Sequence, residues 1–248
     1  MKKLLKKIIS FFTSCVYEVI QSKKRLNPID EFKKETFLES YNYFKKYFVK
    51  ANLFKVSLNQ KKNFTFSINL FEHSFFELTK NKIKLNEYLF LEFGTYKGQS
   101  ATIISSILKK HTNNILYTFD SFKGLSDSWP GSSKYQGTFK LDTTPKLPDN
   151  CKIIEGLIQD NLEGFLKEHQ KKVIFVHCDV DTYETTKYIL EKIKGHLING
   201  SIIIFDDLYN RAGWKEGQIK ALKEVFEEEY YNYISFSDSG QAAIKIIK

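Results

Sequence analysis

From residue 88 onward the apolar residues of this chain alternate between two rhythms. Short apolar runs at residues 88–91, 115–119, 152–155, 173–178 and 201–205 have the length and the aromatic or β-branched content of buried strands. Between them the spacing is helical, as at Ala101, Ile103, Ile104, Ile107 and Leu108, or across residues 183–197 before the stop signal Asn199-Gly200. Alternating strands and helices predict an α/β fold on a parallel sheet, with ligands at the C-terminal edge of the strands. A helix over residues 217–229 and two strand-like runs, 233–236 and 242–247, then predict a closing hairpin on the far side of that sheet.

The N-terminal third follows another pattern. Residues 1–20 set Lys2, Lys3, Lys6 and Lys7 around Leu4, Leu5, Ile8 and Ile9, then continue through Phe11, Phe12, Val16, Val19 and Ile20. Glu18 interrupts the run, no small-x-small cleavage site follows, and the stretch is too short to span a bilayer, which argues against export. Two readings stay open: a helix packed on its own domain or a partner subunit, and a basic amphipathic helix lying on an anionic membrane. Residues 27–84 carry Phe37, Tyr41, Phe44 and Phe48 at helical spacing with lysines between, which predicts core-packing helices that lid or flank the sheet. Residues 64–82 read as a further helix, in which His73 is structural or exposed.

Composition narrows the picture only in part. The chain has 248 residues, 42% of them hydrophobic, enough for a large core. Its 38 basic and 29 acidic residues give +9, but the lysines are scattered, which fits solvated faces or attraction to an anionic substrate or membrane. No nucleic-acid motif accompanies them. Cys15, Cys151 and Cys178 are far apart and form no Cys-x-x-Cys, so neither a disulfide framework nor a zinc site is suggested, and a reducing cytosol fits.

Chemistry concentrates at the strand ends. After the first run the chain reaches Glu92 and turns through Gly94 and Gly98 into a helix, a turn at which a ligand can approach the backbone near unpaired N–H groups. The third glycine of the dinucleotide fingerprint is absent. Asp120 ends the second run, 26 residues beyond Gly94, where an acid can accept hydrogen bonds from ribose hydroxyls. Residues 127–147 form a long irregular connection that reads as a lid. Asp179 and Asp206 end two runs separated by one helix, so a parallel sheet makes them neighbours, with Asp207 beside them. Three carboxylates so close would repel, and all-oxygen donors suit Mg²⁺. His177 is expected to point away from Asp179, and with no His or Cys in the cluster zinc is disfavoured.

The ordered set Leu91-Glu92-Phe93-Gly94-Thr95-Tyr96-Lys97-Gly98, Phe119-Asp120-Ser121-Phe122-Lys123-Gly124-Leu125, His177-Cys178-Asp179-Val180-Asp181-Thr182-Tyr183 and Ile204-Phe205-Asp206-Asp207 resembles the macrocin O-methyltransferase family. Those enzymes use S-adenosylmethionine to methylate sugar hydroxyls. The resemblance spans residues 85–248 and implies a Rossmann-like class I methyltransferase domain of seven strands, the last antiparallel, behind an N-terminal helical or lid segment, 1–84. It implies that Glu92, Gly94 and Gly98, with Thr95, Tyr96 and Ser100, line the cofactor, that Asp120 and Ser121 hold its ribose, and that Asp179, Asp206 and Asp207 hold Mg²⁺. The more distant catechol O-methyltransferase has a general-base lysine three residues after its first metal aspartate. Thr182 stands there in this chain, leaving Asp179 as both ligand and base, or another residue as base. The expected activity is Mg²⁺-assisted O-methylation of a sugar, nucleotide-linked and bound for a surface polysaccharide, by a cytoplasmic homo-oligomer. A macrolide-type sugar or small phenol as acceptor, and a non-catalytic scaffold, are the alternatives.

Overall fold

The computed structural model describes residues 28–54, 68–80, 83–126, 128–129 and 133–248; the basic amphipathic stretch at 1–20 lies outside them. In chain order the elements are α1 (Pro28–Phe48), β1 (Asn52–Phe54), α2 (Ile68–Thr79), β2 (Leu89–Phe93), α3 (Gln99–Leu108), β3 (Leu116–Asp120) and β4 (Cys151–Glu155). They continue as α4 (Ile158–His169), β5 (Val173–Cys178), α5 (Tyr183–Ile193), β6 (Leu197–Phe205), α6 (Gln218–Val225), β7 (Tyr231–Ser237) and β8 (Ala242–Ile246).

One sheet runs in the order β1-β7-β8-β6-β5-β2-β3-β4. The chain builds β2, β3 and β4 outward in one direction, then crosses back to lay β5 and β6 on the other side of β2. That reversal opens a crevice above the C-terminal ends of β2 and β5, where open α/β sheets bind ligands. Strands β2 to β6 are mutually parallel, and β8 lies antiparallel between β6 and β7. The C-terminal pair is therefore the expected antiparallel hairpin, added to the sheet beyond β6 on the side away from β4.

Two differences from the sequence expectation have physical causes. The sheet has an eighth strand because β1, inside the segment expected to be helical, pairs parallel with β7 through Leu53 and Phe236. Helix α6 stops at Val225 well short of residue 229. Glu227, Glu228 and Glu229 would crowd negative charge onto the helix C-terminus, which the helix dipole disfavours, and a short 3₁₀ turn at Glu228–Tyr230 follows.

The sheet is covered on both faces. On one, Phe44 and Phe48 of α1 are buried, with Phe44 5.4 Å and Phe48 4.8 Å from the ring of Phe236, so the predicted aromatic stripe is core. Burying each phenylalanine contributes about 2 kcal/mol. Trp214 Nε1 donates to Glu39 Oε2 at 3.0 Å and ties α1 further to the domain. On the other face, Phe75 of α2 packs 5.0 Å from Phe175 of β5, and Phe71 meets His177 edge-on at 5.1 Å. His73 of α2 is turned to Asn52, with its Nε2 3.0 Å from the Asn52 amide nitrogen.

Candidate active site

Strand β2 continues through Phe93 with all five residues buried, so Glu92 lies within the strand, one residue short of its end. Gly94 follows with φ +86°, a region open to glycine at little cost. The Gly94 N–H donates to the Phe119 carbonyl at 2.9 Å, and the Asp179 N–H donates to the Phe93 carbonyl at 2.8 Å. Three strand ends are thereby stitched together. A side chain at position 94 would overlap the Asp179 carbonyl oxygen, so glycine is what lets β2 and β5 close up here.

Asp120 organises the turn from the neighbouring strand. Its Oδ2 accepts from the main-chain N–H groups of Thr95 and Tyr96 at 2.9 and 2.8 Å, and its Oδ1 from Phe122 N–H at 2.8 Å. Gly94, Thr95, Tyr96, Ser100, Asp120 and Ser121 all line a cavity of about 450 Å³, a size typical of small-molecule sites. Glu92 and Gly98 are not in that lining. Gly98, with φ +77°, turns the chain into α3, and a side chain there would strike Leu147.

The same cavity is also lined by acids, Asp179, Asp181, Asp206 and Asp207. With His177 they form two overlapping groups, His177–Asp179–Asp206 and Asp179–Asp181–Asp207, each with donor atoms within 4.8 Å of one another. Burial first, then repulsion from Asp206, Asp181 and Asp207, holds the Asp179 carboxyl well above the usual carboxylate range. Burial and the charges of Asp206 and Asp181 do the same to Asp207, against the opposing pull of Arg211. Asp181, raised above all by burial, is pushed up to about 6.

Side chains from later elements fix these acids. Gln218, buried at the start of α6, accepts from the Asp207 N–H at 3.0 Å and donates to the Cys178 carbonyl at 3.1 Å, clamping the ends of β5 and β6. Gln241 Nε2 donates to Asp206 Oδ1. Arg211 Nε lies 3.7 Å from Asp207 Oδ1, and its guanidinium sits 4.7 Å over the Trp129 ring at the cavity wall. Thr182, at the place of the lysine base, precedes α5 and donates to Thr185 Oγ1 at 2.9 Å.

His177 departs from the sequence expectation. Residues two apart on a strand share a face, so His177 looks the same way as Asp179 and not away from it. The register sets Glu92 opposite His177, whose Nδ1 lies 3.0 Å from Glu92 Oε1. Its Nε2 is 3.8 Å from Asp206 Oδ1, buried and without a hydrogen-bond partner. Burial opposes the imidazolium, but Asp206 and Glu92 outweigh it and the pKa is pushed up to about 9. An imidazole thus stands among the carboxylates, and the sequence argument against a nitrogen donor loses its footing. The i, i+2 spacing of His177, Asp179 and Asp181 was the available signal; nothing local in sequence marks Gln218, Gln241 or Arg211.

Residues 91–208 match a family described as a methyltransferase domain. No curated protein matches the chain by sequence. Among solved structures, CalS11, a calicheamicin methyltransferase, superposes with a TM-score of 0.61 at 17% identity, covering 95% of this chain and 91% of that one. An apo structure of CalS11, described as a TDP-rhamnose 3'-O-methyltransferase, gives 0.56 at 17% over 90% and 96% of the two chains. The O-methyltransferase NovP gives 0.57 at 15% identity over 73% of this chain and 79% of its own. At such identities the likeness establishes the fold. Among the described residues no helix is long and apolar enough to cross a membrane.

Proposed function

We propose that this chain, which matches a methyltransferase domain over residues 91–208 and shares the fold of CalS11, uses S-adenosylmethionine to methylate a sugar hydroxyl with the help of a divalent cation. One observation carries this reading: a single cavity joins the glycine turn at Gly94 to the acids Asp179, Asp206 and Asp207. S-adenosylmethionine presents a sulfonium and an ammonium, both of which suit an acidic crevice. Gly94, Thr95, Tyr96 and Ser100 would hold the cofactor, and Asp120 and Ser121 would hold its ribose.

The donor set fits a hard cation. Carboxyls held this high by burial and mutual repulsion are relieved by a positive ion, and oxygen donors suit Mg²⁺. Asp179, Asp206 and Asp207 would hold it, and when bound it would polarise the acceptor hydroxyl. Asp179 then takes the hydroxyl proton as the oxygen bonds to the methyl carbon; the carbon–sulfur bond breaks and the electron pair stays on a neutral thioether. Alignment of oxygen, carbon and sulfur by the cavity walls can supply about 7 kcal/mol of the barrier.

The acceptor is read as a nucleotide-linked sugar on the way to a surface polysaccharide. The description of CalS11 as a TDP-rhamnose 3'-O-methyltransferase and the net charge of +9 support this. A cytoplasmic homo-oligomer, with residues 1–20 touching the membrane and 1–84 serving as lid to a catalytic unit at 85–248, completes the reading. The aromatic rim of Trp129, Tyr96 and Phe139 supports a second acceptor class, a small phenol or macrolide-type sugar. The retained acids argue against a non-catalytic scaffold.

Calorimetric titration with S-adenosylhomocysteine, followed by nucleotide sugars with and without Mg²⁺, tests the reading. Saturable cofactor binding and cation-dependent sugar binding are expected. Absence of cofactor binding overturns it.

A further inference from the structure

We propose that His177 Nε2 joins Asp179 and Asp206 as a nitrogen donor to the cation, and that the site therefore prefers Mn²⁺ to Mg²⁺. The inference rests on the cation-assisted reading above and changes its ligand set. Three observations carry it. The imidazole is wholly buried, and its Nε2 has no hydrogen-bond partner although Asp206 Oδ1 stands 3.8 Å away. Glu92, an acceptor when ionised, takes the Nδ1 side at 3.0 Å. A carboxylate on one ring nitrogen fixes the ring and turns the other toward the acids, where a cation would displace the proton it carries, the arrangement that orients metal-bound histidines. Lastly, Nε2 and the oxygens of Asp179 and Asp206 lie within 4.8 Å of one another.

The neighbouring all-oxygen group is the weaker claimant. Arg211 already compensates Asp207, its Nε 3.7 Å from Asp207 Oδ1. Phe71 meets the His177 ring edge-on at 5.1 Å, limiting how far it can swing from the acids. An imidazole among the donors favours transition metals over Mg²⁺, which takes oxygen.

The test is pulsed electron paramagnetic resonance of full-length protein loaded with substoichiometric Mn²⁺, alongside separate titration with S-adenosylhomocysteine. The echo should carry ¹⁴N modulation that becomes the ¹⁵N pattern after growth on ¹⁵N-histidine. His177→Gln should abolish it and weaken Mn²⁺ binding at least about tenfold. A variant with His73, His111, His169 and His196 all replaced by glutamine should keep it, which guards against a misfolded His177→Gln protein. Bound Mn²⁺ without nitrogen modulation, or modulation that survives His177→Gln, overturns the assignment. Failure to bind Mn²⁺ while S-adenosylhomocysteine still binds overturns it too and leaves the methyltransferase reading standing. Nitrogen-coupled Mn²⁺ in a protein that ignores S-adenosylhomocysteine supports the donor set and removes the methyl-transfer reading.

Discussion

His177 Nδ1 lies 3.0 Å from Glu92 Oε1, and the two side chains meet out of reach of water on the face shared by β2 and β5. Removing one partner of such a buried pair leaves the other uncompensated. Glu92→Ala is expected to cost about 3 kcal/mol in urea unfolding, and Glu92→Gln, which keeps the volume and one hydrogen-bonding oxygen, clearly less. Equal losses would mean that packing, not the ion pair, is what Glu92 contributes.

Gly94 is the position where the backbone has least room. Alanine there must adopt φ +86° and overlap the Asp179 carbonyl, so β2 and β5 would have to separate. Gly94→Ala should lose at least about 1 kcal/mol from backbone conformation alone. Its affinity for S-adenosylhomocysteine should fall more than tenfold, roughly the factor that 1.4 kcal/mol represents. Calorimetry on the folded variant checks this.

Gln218 connects the ends of two acid-bearing strands. Gln218→Leu leaves the Asp207 N–H and the Cys178 carbonyl buried without that partner, at a cost of about 2 kcal/mol. Cation affinity should fall with it, because the ends of β5 and β6, which carry Asp179 and Asp206, are no longer clamped; a melt with and without Mn²⁺ separates the two effects.

Cation removal has its own signature. An ion that binds only the folded chain stabilises it by about 2.7 kcal/mol at a hundredfold excess over its dissociation constant. Mn²⁺ should therefore raise the Tm of the wild type and EDTA return it, while Asp179→Asn should respond to neither. A Tm indifferent to Mn²⁺ in the wild type would count against any ion at the acids.

The strand positions and the crevice were legible because apolar runs ending in acids report both the sheet and its functional edge. Topology alone led to the expectation that Asp179 and Asp206 are neighbours with Asp207 beside them, and all three line one cavity. Glu92 was harder, since an acid near a strand end reads as a loop residue unless a partner such as His177 is known across the sheet. The eighth strand hid in a segment whose aromatic residues already explained themselves as helix. Gln218 and Gln241 come from elements far along the chain, and only their hydrogen bonds to the ends of β5 and β6 reveal why they are there.

The most direct test of methyl transfer at this acidic site follows labelled methyl from S-adenosylmethionine into a panel of free and nucleotide-linked sugars, comparing wild type with Asp179→Asn. Cation-dependent labelling of a sugar hydroxyl is predicted for the wild type. The variant should be slower by about 100-fold or more, with its affinity for S-adenosylhomocysteine unchanged. Equal transfer by Asp179→Asn, or transfer indifferent to EDTA, would contradict the account.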